Sequence, residues 1–434
     1  MLIPALVGLF FACKTPQPAS QNPQPVAMPA PVAPPVPPTI PTVTDEYLAK
    51  LLEQNPDWFK ALLKQKDSLK IQIIYTQIDR QADNRPVFKT YRYNVGSQYF
   101  YPASTVKLPT AVLSLQRIRE LQVPGLNAQS TMITEADFSK QTPVYNDPTT
   151  PDGRPSIAHY IKKIGLVSDN DAYNRLYEFL GQSYLNTELH KRGMKSAALV
   201  HRLEISLNEA ENRHTNPVRF LDEQGKTLYE QAGRNSDWPY PARQDFLGVG
   251  YQSGGKIIPQ PMNFSQKNRL SLEDLTQVVR TVLFPESVPP AQQFKLAAED
   301  YRFLKQYMSQ LPRETRFPAY DSTEYWDAYV KFLLFGSEKG TLPPHIRIFN
   351  KVGDAYGFLI DAAYVVDFEN QVEFMLSAVI FCNQDGILND GKYEYDSVGY
   401  PFMKQLGSCI YNYELTRKRA FKPNLSAFKM QYDK

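Results

Sequence analysis

The feature that most constrains this chain is where its strand-forming segments fall. Residues 69–79 (LKIQIIYTQID) and 87–95 (VFKTYRYNV) are rich in β-branched and aromatic side chains, and three more such runs lie far downstream, at 347–351, 359–367 and 372–382. Between them the apolar residues recur at helical spacing over 104–120, 156–167, 170–180, 271–283 and 297–310. Helices are also expected over 47–66, where Pro56 weakens the pattern midway, and over 398–416. The order helix, two strands, a block of helices, three strands, helix predicts an α/β (α+β) fold. Its sheet is mixed and antiparallel, assembled from both ends of the chain, with helices on its faces and an all-helical region inserted between.

At 434 residues the chain is long enough to bury a large core, and a formal charge of +3 with no long basic block argues against nucleic-acid binding. Three cysteines rule out a disulfide-dense scaffold. The five histidines are scattered and form no H-E-x-x-H or related pair, so neither a metal nor another cofactor is expected.

The first residues suggest export. An apolar run from Leu2 to Ala12 is too short to span a bilayer and ends at Cys13. Phe10-Phe11-Ala12-Cys13 resembles a bacterial lipobox, although no Lys or Arg precedes the run and Phe10 stands where leucine is usual. Eleven of the 35 prolines then fall between Pro16 and Pro41, which marks an extended, semi-rigid spacer without a core of its own. The expected division is a lipoprotein-type signal segment at 1–13, a Pro-rich tether at 14–44 and a globular domain at 45–434. Within that domain irregular insertions are expected near 218–268 and 312–325. The corresponding location is the cell envelope or periplasm, with Cys13 carrying a membrane lipid anchor.

The chemistry is carried by a series of short motifs. Ser104-Thr105-Val106-Lys107 places a hydroxyl and an amine one turn apart at a helix start, where the amine can take the hydroxyl proton and the helix N-terminus favours developing negative charge. Alone, such a motif means little. Ser426-Ala427-Phe428-Lys429 also fits, and nothing downstream of it could complete a site. After Ser104, by contrast, come Ser168-Asp169-Asn170 between two expected helices, then Glu204-Ile205-Ser206-Leu207-Asn208, then Lys351-Val352-Gly353 on an expected strand. Each has a plainer reading, as a helix cap, an exposed loop acid and an edge-strand lysine respectively. Those readings do not account for the order.

In order, and in the spacing of the first two intervals, these elements resemble S-x-x-K, S-D-N, E-x-x-L-N and K-T-G of the class A β-lactamases and penicillin-binding proteins, serine hydrolases that act through an acyl-enzyme; the last interval is much longer and takes in both expected insertions. Arg202, Arg213, Thr215 and Pro217 extend the resemblance through an Ω loop. It implies a small-molecule substrate, a β-lactam or another amide or ester, and a monomer. Ser104 is then the nucleophile, with Lys107 or a Glu204-bound water as the activating base. The backbone N–H groups of Ser104 and Asp354, beside Gly353, form the oxyanion hole. Ser168 relays a proton to the leaving nitrogen, Asn170 holds the substrate amide and Lys351 supplies positive potential. Glu204 and Asn208 position the deacylating water. Lys107 is also expected to be buried near Lys351, and since both burial and like charge disfavour protonation, its pKa is expected to be lowered.

Three departures qualify this. Val352 replaces a hydroxyl residue that helps bind a substrate carboxylate, and Asp354 adds negative charge beside it. His214 stands where the family has an aspartate paired with the equivalent of Arg202, which weakens the expected support for Glu204. A related peptidase, esterase or cell-wall carboxypeptidase-like enzyme, or a non-catalytic envelope protein on the same fold, is the alternative. A P-loop-like run at 250–256 has Ile257 where a Ser or Thr is needed, and is expected to be a flexible loop.

Overall fold

The computed structural model describes residues 43–96 and 98–433, so Cys13 and nearly all of the Pro-rich stretch lie outside the described residues. Helices α1 (Glu46–Glu53) and α2 (Pro56–Lys64) come first, then strands β1 (Gln72–Arg80) and β2 (Pro86–Tyr93). The single helix expected over 47–66 is therefore two. Proline restricts the residue before it and lacks an N–H, so the chain breaks at Asn55 and Pro56 takes the first turn of α2.

The middle of the chain holds α3 (Lys107–Leu121), β3 (Thr131–Thr134), α4 (Ile157–Val167), α5 (Asn170–Lys191) and the short α6 (Glu209–Arg213). Strands β4 (Val218–Leu221), β5 (Thr227–Gln231), β6 (Phe246–Leu247), β7 (Gly250–Ser253), β8 (Lys256–Ile258) and β9 (Met262–Asn263) follow, then helices α7 (Leu272–Leu283) and α8 (Ala298–Ser309). The inserted region is thus mainly helical but also carries short strands, none longer than five residues, too short for an alternating pattern to stand out. The expected flexible loop at 250–256 is a hairpin. Gly254 and Gly255, with φ of 55° and 76°, make the two-residue turn between β7 and β8 that only positive φ allows.

Strands β10 (Ile346–Ala355), β11 (Phe358–Asp367), β12 (Val372–Phe381) and β13 (Ile387–Leu388) and helix α9 (Tyr400–Thr416) complete the fold. The main sheet runs β10-β11-β12-β1-β2, antiparallel throughout, with Ile73 opposite Ala378 and Tyr75 opposite Leu376. This is the sheet from both chain ends expected of a β-lactamase-like fold. Strands β11 and β12 are buried along their whole length because both faces are covered. Ile73, Tyr75, Leu376 and Ala378 pack with Leu48, Phe59, Phe402 and Ile410 on one face. Ile74, Met375 and Val379, one residue out of phase, pack with Val279, Val282 and the helical region on the other. Each such large apolar side chain contributes roughly 1.5–3 kcal/mol on burial.

Candidate active site

Ser104 does not sit in the α-helix its spacing suggested. It lies in a 3-10 turn, Ala103–Val106, that leads into α3 at Lys107. In such a turn side chains three apart eclipse, which aligns Ser104 with Lys107. Thr105 closes the turn by donating its hydroxyl to the Pro102 carbonyl at 2.6 Å. Ala103, just before the nucleophile candidate, holds a left-handed φ of 47°. That conformation strains a residue with a Cβ and is tolerated where surrounding structure imposes it.

The Ser168-Asp169-Asn170 run is both a cap and part of the site. Helix α4 ends at Ser168, with a φ of 60°, and Asp169 caps α5 by accepting the Ala172 N–H at 2.8 Å. This abrupt reversal points the Ser168 and Asn170 side chains at two buried amines. Lys107 Nζ donates to the Ser168 carbonyl, to Ser168 Oγ at 3.3 Å and to Asn170 Oδ1 at 2.6 Å. Lys351 Nζ donates to Ser168 Oγ at 2.8 Å and to the Val352 carbonyl at 2.9 Å. With both amines donating to it, the Ser168 oxygen has its own hydrogen left for a third partner.

Lys107 is fully buried. Burial pushes its amine down to about 7, while Asp169, Asp354 and Glu204 pull the other way. The depression expected from the sequence is present, and of its two expected causes burial is the one that acts on Lys107. The like charge acts on Lys351, where burial first and Lys107 second hold the amine well below the usual lysine range. The positive potential expected of Lys351 is weakened accordingly.

Strand β10 reaches the Ser104 turn through Gly353. A Cβ there would lie 2.9 Å from the Pro102 carbonyl oxygen and 3.0 Å from the Ser104 nitrogen, so only glycine allows the strand this close. The first N–H groups of a helical turn have no partner within it, which leaves that of Ser104 open toward β10. β10 is an edge strand, and its Val352 carbonyl turns off the ladder to meet Lys351. N–H and C=O of one residue point the same way in an antiparallel strand, and residues two apart share that direction. The Asp354 N–H therefore lies on the same open edge. Asp354 opens onto a cavity yet is ringed by protein, and burial lifts its carboxyl above the usual range against the pull of Lys351 and Lys107.

Glu204 sits on the loop after α5, with a left-handed φ of 60°, and its Oε2 accepts the Asn170 Nδ2 hydrogen at 2.7 Å. The loop is pinned beside it by Asn174, which bonds Leu203 in both directions at 2.9 and 3.0 Å. The weakening expected from His214 is offset by a residue that sequence reasoning passed over. Arg202 pairs with Glu178 at 3.0 Å, both 3% exposed, and donates to the Glu211 and His214 carbonyls at 3.0 and 2.8 Å. The signal for it was Arg175-x-x-Glu178, an ion pair one turn apart on a buried helix. Asn208 is set apart. Its Oδ1 caps α6 by accepting the Glu211 N–H at 2.9 Å, and it borders a neighbouring cavity that shares Glu204.

Ser104, Ser168, Asn170, Glu204, Val352 and Asp354 all line one cavity of about 1030 Å³. Lys107 and Lys351 lie behind its wall. The far side is formed by residues 325–339 and α9, next to the stretch read as a surface insertion. A buried network fastens that wall to β10. Lys331 donates to Asn350 at 2.6 Å, Asn350 donates to Asp361 at 2.8 Å, and Asp361 accepts the N–H groups of Phe332 and Leu333 at 3.1 and 3.0 Å. Among the described residues no group of three His, Cys, Asp or Glu side chains is placed to hold a metal ion. No described helix is long and apolar enough to cross a membrane.

Residues 58–236 match the family model described as "Beta-lactamase enzyme family", a span that includes Ser104, Lys107, Ser168, Asn170 and Glu204. Over that span the chain is similar to the β-lactamase enzyme family. Solved β-lactamase structures are similar to it. One from Desulfarculus baarsii is 15% identical, with 84% of this chain and 97% of that one covered and a TM-score of 0.44. One from Burkholderia phymatum is 13% identical, with 82% and 99% covered and a TM-score of 0.46. A class A β-lactamase from Clostridium kluyveri is 14% identical, with 81% and 98% covered and a TM-score of 0.45. No curated protein matches this chain.

Proposed function

We propose that the protein is a serine hydrolase that opens β-lactams or related amides and esters through an acyl-enzyme on Ser104. The observation that carries this is the convergence of Ser104, Ser168, Asn170 and Glu204 on one cavity, with two pKa-lowered lysines hydrogen-bonded to Ser168. Neutral Lys107 takes the Ser104 proton as the oxygen attacks the carbonyl carbon. The oxyanion is met by the Ser104 and Asp354 N–H groups, each such donor worth roughly 3–4 kcal/mol. The proton passes through Ser168 Oγ to the leaving nitrogen as the C–N bond breaks. Glu204 then removes a proton from water, whose oxygen attacks the acyl carbon, and Ser104 departs with a proton restored. Asn208 acts only by capping the helix that closes the Glu204 loop. The lipobox-like run before Cys13 and the Pro-rich stretch support a lipid-anchored location of this activity at the cell envelope.

The test is turnover of a chromogenic cephalosporin and its loss in Ser104→Ala. Val352 and Asp354 favour a second reading, in which the same acyl transfer serves a peptide or simple ester. Turnover of esters with no reaction of cephalosporins selects it. Failure of a neutral fluorophosphonate to mark Ser104 removes both.

A further inference from the structure

The Ser104 cavity extends well past the groups that acyl transfer uses. Tyr325, Trp326 and Tyr329 form one side of this extension and Tyr400 of α9 another. The rings brace one another edge to face, Tyr325 on Tyr329 at 5.0 Å and Trp326 on Tyr329 at 5.3 Å. The wall already holds a cation of the protein's own, with Lys339 Nζ 5.2 Å from the centre of the Trp326 ring.

Most charges bordering the cavity are answered. Glu338 and Lys404 neutralise each other at 2.5 Å, Asp169 caps α5 and Glu204 accepts from Asn170. Asp354 and Asp396 remain, and neither has a hydrogen-bond or ion-pair partner among the described residues. They share one recess with the rings. Burial and then Tyr325 and Asp354 push the Tyr329 phenol up, and burial followed by Asp354 and Asp396 does the same to Tyr400.

Unpaired carboxylates beside aromatic faces suit an ammonium group and repel a carboxylate. Little beside Asp354 compensates for an anion, since Val352 has no hydroxyl, both Lys351 hydrogen bonds go to Ser168 and the Val352 carbonyl, and the one lysine on the aromatic wall, Lys339, lies over the Trp326 ring. We propose that Asp354 and Asp396, with the rings of Tyr329 and Tyr400, select substrates bearing an ammonium group near the carbonyl that Ser104 attacks. The proposal rests on the acyl-transfer reading for its reaction but not for its binding.

Two measurements keep the two claims apart. The first is binding of phenyltrimethylammonium and its neutral isostere tert-butylbenzene to Ser104→Ala, followed by protein NMR. The second is kcat/KM on the wild type for matched esters ending in trimethylammonium, primary ammonium, tert-butyl or carboxylate. The cationic probe should bind, and the cationic esters should react about tenfold or more faster than the neutral one at low salt, with the carboxylate slowest. In Asp354→Asn and in Asp396→Asn the ratio of cationic to neutral rates within each variant should fall, whatever the absolute rate does. Equal binding of the two probes, or a ratio that survives in both variants, overturns the proposal. Binding of the cation by a protein whose Ser104 stays unlabelled overturns the reaction alone.

Discussion

Lys107 and Glu204 are joined by a single side-chain amide: Asn170 takes the lysine amine on its oxygen at 2.6 Å and gives a hydrogen to the carboxylate at 2.7 Å. An amide has one accepting and one donating end, so the two partners fix which way Asn170 lies. The candidate base for acylation and the candidate base for deacylation are thereby held in one register.

The lysine end of that link has a pH signature. A base works when unprotonated, so single-turnover acylation should rise with pH through an inflection near the value of about 7 to which burial brings Lys107, then level off. Asn170→Asp puts a negative charge against the amine and should move the inflection upward. An inflection that stays in place in the variant would remove Lys107 from the role. The same shift acts on stability. Between about 7 and the ordinary lysine value the unfolded chain binds the proton more tightly, so this group's contribution to stability rises with pH across that window and is flat below it.

Glu204→Gln preserves the size of the side chain and removes the basic oxygen. Acylation should change by less than about tenfold while deacylation slows by roughly 10²–10⁴. Intact mass spectrometry after exposure to substrate would then show an accumulated acyl-enzyme. Equal slowing of both steps would show that Glu204 serves only to hold the loop.

Glu178 lies between two buried arginines, Arg175 at 3.1 Å and Arg202 at 3.0 Å. Glu178→Ala leaves Arg202 buried without a carboxylate, while Arg175 keeps Asp171 at 2.8 Å, and should cost about 3–5 kcal/mol in denaturant unfolding. Hydrogen exchange should quicken across 202–214, the loop that Arg202 ties down, and deacylation should fall more than acylation. Uniform quickening over the whole chain would mean a general loss of stability without a specific tie to that loop.

Gly353→Ala drives a methyl group against the Pro102 carbonyl and the Ser104 nitrogen. The strand must retreat, at roughly 1–3 kcal/mol. Because the retreat separates the two N–H groups proposed to meet the oxyanion, acylation should drop by more than about tenfold. Wild-type acylation in the variant would place the oxyanion elsewhere.

The sequence carried the order of the motifs and the two-ended sheet because both rest on local signals, a short residue pattern or a run of strand formers. Ser104 to Lys107 and Ser168 to Asn170 were legible for that reason. Glu178 was not, since a substitute for the missing aspartate can come from any element that packs against Arg202. The left-handed turns at Ala103, Ser168 and Glu204 were hidden as well, because none is glycine and each is imposed by contacts distant in the chain. The far wall of the cavity escaped for a third reason. Trp326 and Tyr329 lie in a stretch without regular structure, and the Lys331-Asn350-Asp361 network, with the packing of Val330, Phe332 and Leu333, brings that stretch to β10.

The sheet that seats the site also dictates when it can assemble. Gln72 pairs with Val379, across most of the described chain, so the β1–β2 hairpin must wait for β12 before it gains its neighbour. Until then Ile73 and Tyr75 have only Leu48, Phe59 and their neighbours on α1 and α2 to join, without Leu376, Ala378 and α9, and the loop to be closed is long. A growing or truncated chain that stops short of β12 would hold Ser104, Lys107 and Glu204 without the strand that aligns them. Hydrolytic competence is therefore an end-of-synthesis property, and partial chains should be inert and prone to self-association.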